Sequence, residues 1–172
     1  MKKYLSFAMA LLVPIFIAGC VASGTIIIVF DLDEFVSSST GIEVVEVNLT
    51  TNSDYEDNKD KIKSIDQVTV AGTLTNLEPA DNQAEIWLAY TGSYATPAEV
   101  RHNATRVFVS PVIPGSSEVF IEWANGLNHI EHVDALKDAA DEGLFWLYGL
   151  AADSPFTVQF NITLIITMTA GL

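Results

Sequence analysis

The segment FTVQFNITLIITMT, residues 156 to 169, constrains the fold more than any other part of the chain. Phe156, Val158, Phe160, Ile162, Leu164, Ile166 and Met168 fall on one side of an extended backbone. Thr157, Gln159, Asn161, Thr163, Thr167 and Thr169 fall on the other, and Ile165 is the one break. A period of two held over this length describes a long β-strand with one buried and one wet face. Pro155 marks its start.

Shorter segments repeat the pattern. TIIIVFDLDEF opens as a continuous apolar strand, IEVVEVNLT follows, and QVTVAGTLT sets Val68, Val70 and Leu74 against Thr69, Thr73 and Thr75; AEIWLAYT, TRVFVS, EVFIEW and LFWLYGL complete the series. About eight β-rich segments separated by Gly, Asn, Asp and Pro turns predict an all-β fold, an antiparallel β-sandwich of immunoglobulin-like or Greek-key type. Through NHIEHVDALKDAADEG the period becomes helical: Ile130, Val133, Leu136 and Ala140 share a face, with Glu131, Asp134, Asp138 and Asp141 across from it. One amphipathic helix is therefore expected near residues 129–142, with Asn128 as N-cap and Gly143 as its stop. A further helical turn is expected at TPAE, where Thr96 caps, Pro97 opens the helix and Glu99 closes a capping box.

At the amino terminus Lys2 and Lys3 precede an apolar run from Leu5 to Ile17, the charged and hydrophobic regions of a secretory signal. The run falls short of the roughly 20 apolar residues that span a bilayer, and Pro14 weakens a continuous helix further. It ends in Ile17, Ala18, Gly19 and Cys20, the only cysteine of the chain. This ending resembles the lipobox of bacterial lipoproteins: an aliphatic residue, two small ones, then cysteine. The resemblance covers residues 1 to 20, with Ile17 standing where leucine is commonest. It implies cleavage before Cys20, a diacylglycerol on its thiol and acylation of the new amino group. Two or three acyl chains hold a protein at a membrane where one chain binds only reversibly. Val21, rather than Asp, follows the cysteine; by resemblance to sorting in enteric-type bacteria this implies the outer membrane. The alternative is an ordinary secretory signal that leaves an unpaired thiol. The expected organisation is a cleaved signal peptide over 1–19, a lipidated cysteine and short tether over 20–25, and a single domain over 26–172.

Cleavage leaves 153 of the 172 residues, enough for a domain with its own core. It removes two lysines and no acids, so the formal charge falls from -14 to -16. Lys59, Lys61, Lys63, Arg101, Arg106 and Lys137 are the only basic residues left, which excludes nucleic acid as a partner. A single cysteine also leaves packing, without a disulfide, to stabilise the domain. Anionic headgroups repel such a surface. The expected partners are thus the membrane, through the lipid anchor, and an envelope protein close to it.

Few constellations carry chemistry. In NSDYEDNKDK the oxygen-bearing residues Asp54, Glu56, Asn58 and Asp60 alternate as at the start of a calcium loop, and calcium is the one cofactor the sequence suggests. Lys59 occupies the place of the turn glycine, however, and Ile65 that of the closing glutamate; a solvated polar loop is the alternative. Asp31, Asp33 and Glu34 form a second acidic trio. His129 and His132, three apart on the expected helix, read as a boundary pair, with His129 beside Val133 and Ala140. Trp87 shares a strand face with Glu85, opposite Ile86 and Leu88, and with Tyr94 in the next loop makes a candidate stacking platform for a sugar; burial of Trp87 in the core is the alternative. Trp123 and Trp146 read as core. No serine sits in a G-x-S-x-G elbow. The function expected is a lipid-anchored, non-enzymatic binding or structural subunit of the cell envelope, and the alternative is a carbohydrate-binding or calcium-dependent adhesion module.

Overall fold

The computed structural model describes residues 23 to 171, so the signal peptide and Cys20 lie outside the described residues. The described residues form nine strands: β1 (Ser23–Asp31), β2 (Phe35–Ser38), β3 (Val44–Asn48), β4 (Ile62–Asn76), β5 (Ala84–Ala89), β6 (Thr105–Val109), β7 (Ser117–Ile121), β8 (Leu144–Ala151) and β9 (Thr157–Gly171). In the first sheet β1 and β2 lie end to end along one side of β9, β4 lies along the other, and β7 pairs with β4. The second sheet runs β3-β8-β5-β6. All pairings are antiparallel. Apart from the break between β1 and β2 and the β5-β6 pair, each connection crosses from one sheet to the other. The antiparallel sandwich expected from the sequence is present, and its order is that of a jelly roll, two interlocked Greek keys.

The alternation in β9 is realised as burial: Val158, Phe160, Ile162, Leu164, Ile166 and Met168 all enter the core. Ile165, the break in the pattern, lies on the outer face between Val29 of β1 and Thr69 of β4, both of them β-branched cross-strand neighbours. The segment TIIIVFDLDEF splits into two strands because Leu32 turns into the core while Asp33 and Glu34 stay exposed. Phe35 and Phe160, a cross-strand pair, stack with centroids 4.7 Å apart. Their rings rest on Gly149 of the opposite sheet, where a Cβ would come within 2.7 Å of each. Gly72, at φ +138°, has its backbone pressed against the Asn161 carbonyl, a position that no side chain fits.

The described residues also form four α-helices: α1 (Ser53–Glu56), α2 (Pro97–Asn103), α3 (Trp123–Gly126) and α4 (Val133–Glu142). Among the described residues, no helix is long and apolar enough to cross a membrane. The capping box at Thr96 and Glu99 forms as expected. Helix α4 stops at Gly143, which is left-handed at φ 81°, but it begins four residues later than the sequence suggests. Asn128 does not cap it. Residues 127–129 make a 3-10 turn, Ile130 bridges to Phe108, and the Glu131 N–H donates to the Val107 carbonyl, so tertiary contacts hold this stretch extended. His129 consequently lies off the helix, edge-on to Phe108. Trp123 is also not core: β7 ends at Ile121, the chain leaves the sheet at Glu122, and the indole is 51% exposed. At the other end, β1 begins at Ser23, paired with Gly171, earlier than the strand start at Ile26 expected from the sequence.

This account separates neighbouring residues of β9. Ile162→Asp places an unpaired charge between the sheets and is expected to abolish the cooperative unfolding transition, at a cost of several (~4) kcal/mol. Asn161→Asp, on the exposed face, is expected to shift the urea midpoint little. Equal losses from both would show that the register is wrong.

Candidate functional site

The outer face of the second sheet carries the densest set of polar and aromatic groups. Leu88 opposite Leu147, and Ile86 opposite Gly149, face the core, so the intervening pairs face outward: Glu85 with Leu150, Trp87 with Tyr148, and Ala89 with Trp146. A register shift in the β5-β6 ladder between Ile86 and Trp87 brings Arg106 opposite Trp87 on this same face. Such irregularities re-aim one side chain without ending the pairing.

A second layer folds over these residues. The Tyr148 hydroxyl donates to the Thr91 carbonyl at 3.0 Å and accepts from the Tyr94 N–H at 3.1 Å. The Tyr94 ring packs against that of Tyr148, centroids 5.6 Å apart. Burial pushes the Tyr148 phenol above its ordinary pKa. Gly92 sits on the Trp146 indole, and a Cβ there would lie 2.8 Å from it. Helix α2 buries Val100, and its Arg101 donates through Nη2 to the Ala151 carbonyl at 2.5 Å. The Ala95 N–H, donating to Glu99, holds that carboxyl below its usual range and ties the entry of α2.

At the centre lies Glu85, 3% exposed. Its Oε1 accepts from Arg106 Nη1 at 2.8 Å, and its Oε2 accepts from Trp87 Nε1 at 3.1 Å; Arg101 Nη2 is 4.0 Å from Oε2. Arg106 also donates through Nε to Glu131 at 2.9 Å and through Nη2 at 3.3 Å. A buried carboxylate is stable only when paired and hydrogen-bonded, and here both of its oxygens are engaged. The polar groups are therefore committed to one another. The rings of Trp87 and Tyr94 are both half-buried, each beside Tyr148.

Trp87 and Tyr94, the two residues the sequence nominated for a platform, each lie beside Tyr148, Trp87 as its cross-strand partner and Tyr94 by ring packing; Trp87 is neither fully exposed nor core. Trp146 is likewise half-buried on the outer face. The structure does not gather the acidic loop. Asp54 and Glu56 lie in α1, Glu56 takes Lys59 at 2.6 Å, the Asn58 amide donates to the Asp54 carbonyl, and Asp60 falls in the following 3-10 turn. Among the described residues, no three His, Cys, Asp or Glu side chains are grouped as metal ligands. The Arg106 network escaped the sequence reading. Its signal was there: Glu85 and Arg106 are lone charges of opposite sign within two apolar strand segments, each needing a partner.

No protein-family model and no curated protein matches the sequence. Among solved structures the chain is similar to that of Desmodium yellow mottle tymovirus, at 14% identity and a TM-score of 0.30 over 88% of this chain and 91% of that one. Turnip yellow mosaic virus gives 12% identity and a TM-score of 0.34 over 88% and 83%. Dimeric latent PorU from Porphyromonas gingivalis gives 9% and 0.34, over 87% of this chain and 13% of that one. Similarity at this level carries no argument about this chain.

Two substitutions distinguish the inner and outer halves of the ion network. Arg106→Ala strands Glu85 in the protein interior and is expected to lower unfolding free energy by roughly 3 kcal/mol. Glu131→Gln removes only a solvent-screened pair and is expected to cost under about 1 kcal/mol. Urea denaturation measures both; a larger loss from Glu131→Gln would contradict the assignment of Glu85 as the dependent group.

Proposed function

We propose that the protein is a lipid-anchored component of the cell envelope, most simply of the outer membrane, whose jelly-roll domain acts as a non-enzymatic binding or structural subunit. The observation that carries this reading is the run Ile17, Ala18, Gly19, Cys20 closing a short apolar segment just before the first strand. Ser23 opens β1 three positions after Cys20, a reach of only about 10 Å when fully extended. The start of β1 then lies against the headgroups. Its surroundings suit that position despite the acidic chain: Lys61 lines a cleft of about 330 Å³ with Ser23, Gly24 and Ala170, and the Lys63 side chain lies against Gly171, the pairing partner of Ser23. Lysines near an anionic leaflet each contribute about 1 kcal/mol of attraction. The commitment of Glu85, Arg106 and Glu131 to one another supports a framework role for the polar cluster rather than acid-base chemistry.

Cys20→Ser removes the acylated thiol. It is expected to abolish incorporation of labelled fatty acid and move the protein from the membrane to the soluble fraction; continued labelling would rule out the anchor.

Carbohydrate binding is the second reading, favoured by the placement of Trp87 and Tyr94 around Tyr148 on one face. Sugars stack on such rings through their apolar faces. On this reading a glycan array retains the protein, and Trp87→Ala loses that retention while keeping its circular dichroism spectrum. Calcium belongs to the same reading as an adhesion cofactor, and a rise in melting temperature on adding it would support that form.

A further inference from the structure

The end of the sandwich where β1 starts is only partly filled. Residues 49–61, which cross from β3 to β4, close most of it with the buried side chains of Leu49 and Tyr55, and α1 lies beside β1. Between this crossing and the β1-β9 pair remains a cleft of about 330 Å³, with Gly24, Ile26 and Ala170 on one wall and Asn58 and Lys61 on the other. Gly24 stands opposite Ala170 in the ladder, in the alternate positions that continue as Ile26 with Met168 and Ile28 with Ile166. These are the inner-face pairs, since Ile28, Ile166 and Met168 are buried. The core row therefore runs into the cleft and ends there on two small residues. A Cβ added at Gly24 would meet nothing within 4 Å, so no packing requires glycine at this position. Ile26, next in the row, stays only half-buried. Protein interiors are ordinarily close-packed, and the cleft falls at the small end of ligand-binding pockets, about 300–1,000 Å³.

We propose that this cleft receives part of one acyl chain carried by Cys20 while the protein is out of the bilayer, and releases it on insertion. The inference rests on the lipid-anchor reading above. Position selects the protein's own lipid as the occupant. Ser23, which also lines the cleft, follows Cys20 by three positions, a reach of about 10 Å. An acyl chain that fills half of a hydrocarbon core about 30 Å thick is longer than that, so it can fold back onto the cleft. Cys20 also has the even parity of Gly24, Ile26 and Ile28, which an extended chain carries to one side. Concentration favours the same occupant. A ligand tethered this closely is present at an effective concentration on the order of millimolar, which a free lipid in water does not reach. Charge discriminates further: a free fatty acid brings a carboxylate toward a chain of net charge -14, whereas a diacylglyceryl thioether brings none. Docking hides apolar surface from water during transit. The bilayer competes for the same chain, so docking and insertion exclude each other.

Photocrosslinking tests the proposal. Growth of the host on a diazirine-bearing fatty acid places the crosslinker on the lipid of Cys20. The purified chain is then irradiated either at high dilution without detergent or in vesicles of phosphatidylethanolamine and phosphatidylglycerol. Peptide mass spectrometry is expected to find crosslinks within residues 23–26, 58–61 and 170–171 in water, and to see them fall by at least about tenfold in vesicles. Gly24→Leu fills the cleft from a position with room for it. It is expected to remain acylated and folded by circular dichroism while losing those crosslinks to the same extent. Thr25→Leu, one position away on the outer face, is expected to keep them. If Gly24→Leu fails to fold, Gly24→Asp, which sets a carboxylate in the cleft, carries the same expectation. Three results would overturn the proposal and leave the anchor standing: an acylated chain whose crosslinks lie elsewhere, a folded Gly24 variant that keeps them, or labelling of the cleft only by an added free photo-fatty acid. A chain with no label on Cys20 would overturn both.

Discussion

The pairing of β9 with β1 and β2 on one side and with β4 on the other is the constraint from which the rest of the molecule follows. A central strand with a period of two cannot slip by one residue, because every core side chain would then face outward. The Val158-to-Met168 row therefore sets the register of three neighbours at once. It also fixes what the second sheet must offer. Phe160, stacked on Phe35, needs a flat place opposite, and Gly149 of β8 provides it. From there the β8-β5 ladder determines which residues point away from the core, and so builds the outer face that carries Glu85, Trp87 and Tyr148.

That outer face shows why one buried charge organises much of its surroundings. Glu85 cannot be left without a cation, and Arg106 reaches it only because the β6 ladder shifts register beside Trp87. Arg106 then has donors to spare, which capture Glu131 and hold residues 130–131 in an extended path along the β6 edge. Helix α4 starts late as a result, after His132 adopts a left-handed conformation. A feature that looks like a site is at the same time the device that closes one edge of the sandwich.

The parts of this arrangement legible in the sequence were those governed by local periodicity. The alternation in β9, the Thr96 capping box and the Gly143 stop each depend on residues within one element, and each has its expected form. What was not legible depends on contacts distant in sequence. Ile130 and Glu131 have helical spacing, yet Phe108, Val107 and Arg106 draw them out of the helix. Trp123 has apolar neighbours in EVFIEW, but the strand ends before it. The platform residues Trp87 and Tyr94 were identifiable as types. The placement of Tyr94 beside Tyr148 was not, because it depends on how the loop after β5 folds back over the sheet.

The proposed role rests on what is joined to Cys20, three positions before the first residue of β1. Mass spectrometry of the amino-terminal peptide from protein isolated out of its own host reads this directly. The account predicts a peptide that begins at Cys20 and carries a diacylglyceryl thioether, with or without a further acyl group on its amino nitrogen. A peptide that retains Met1, or a mature chain with a free, unmodified Cys20 thiol, would contradict it.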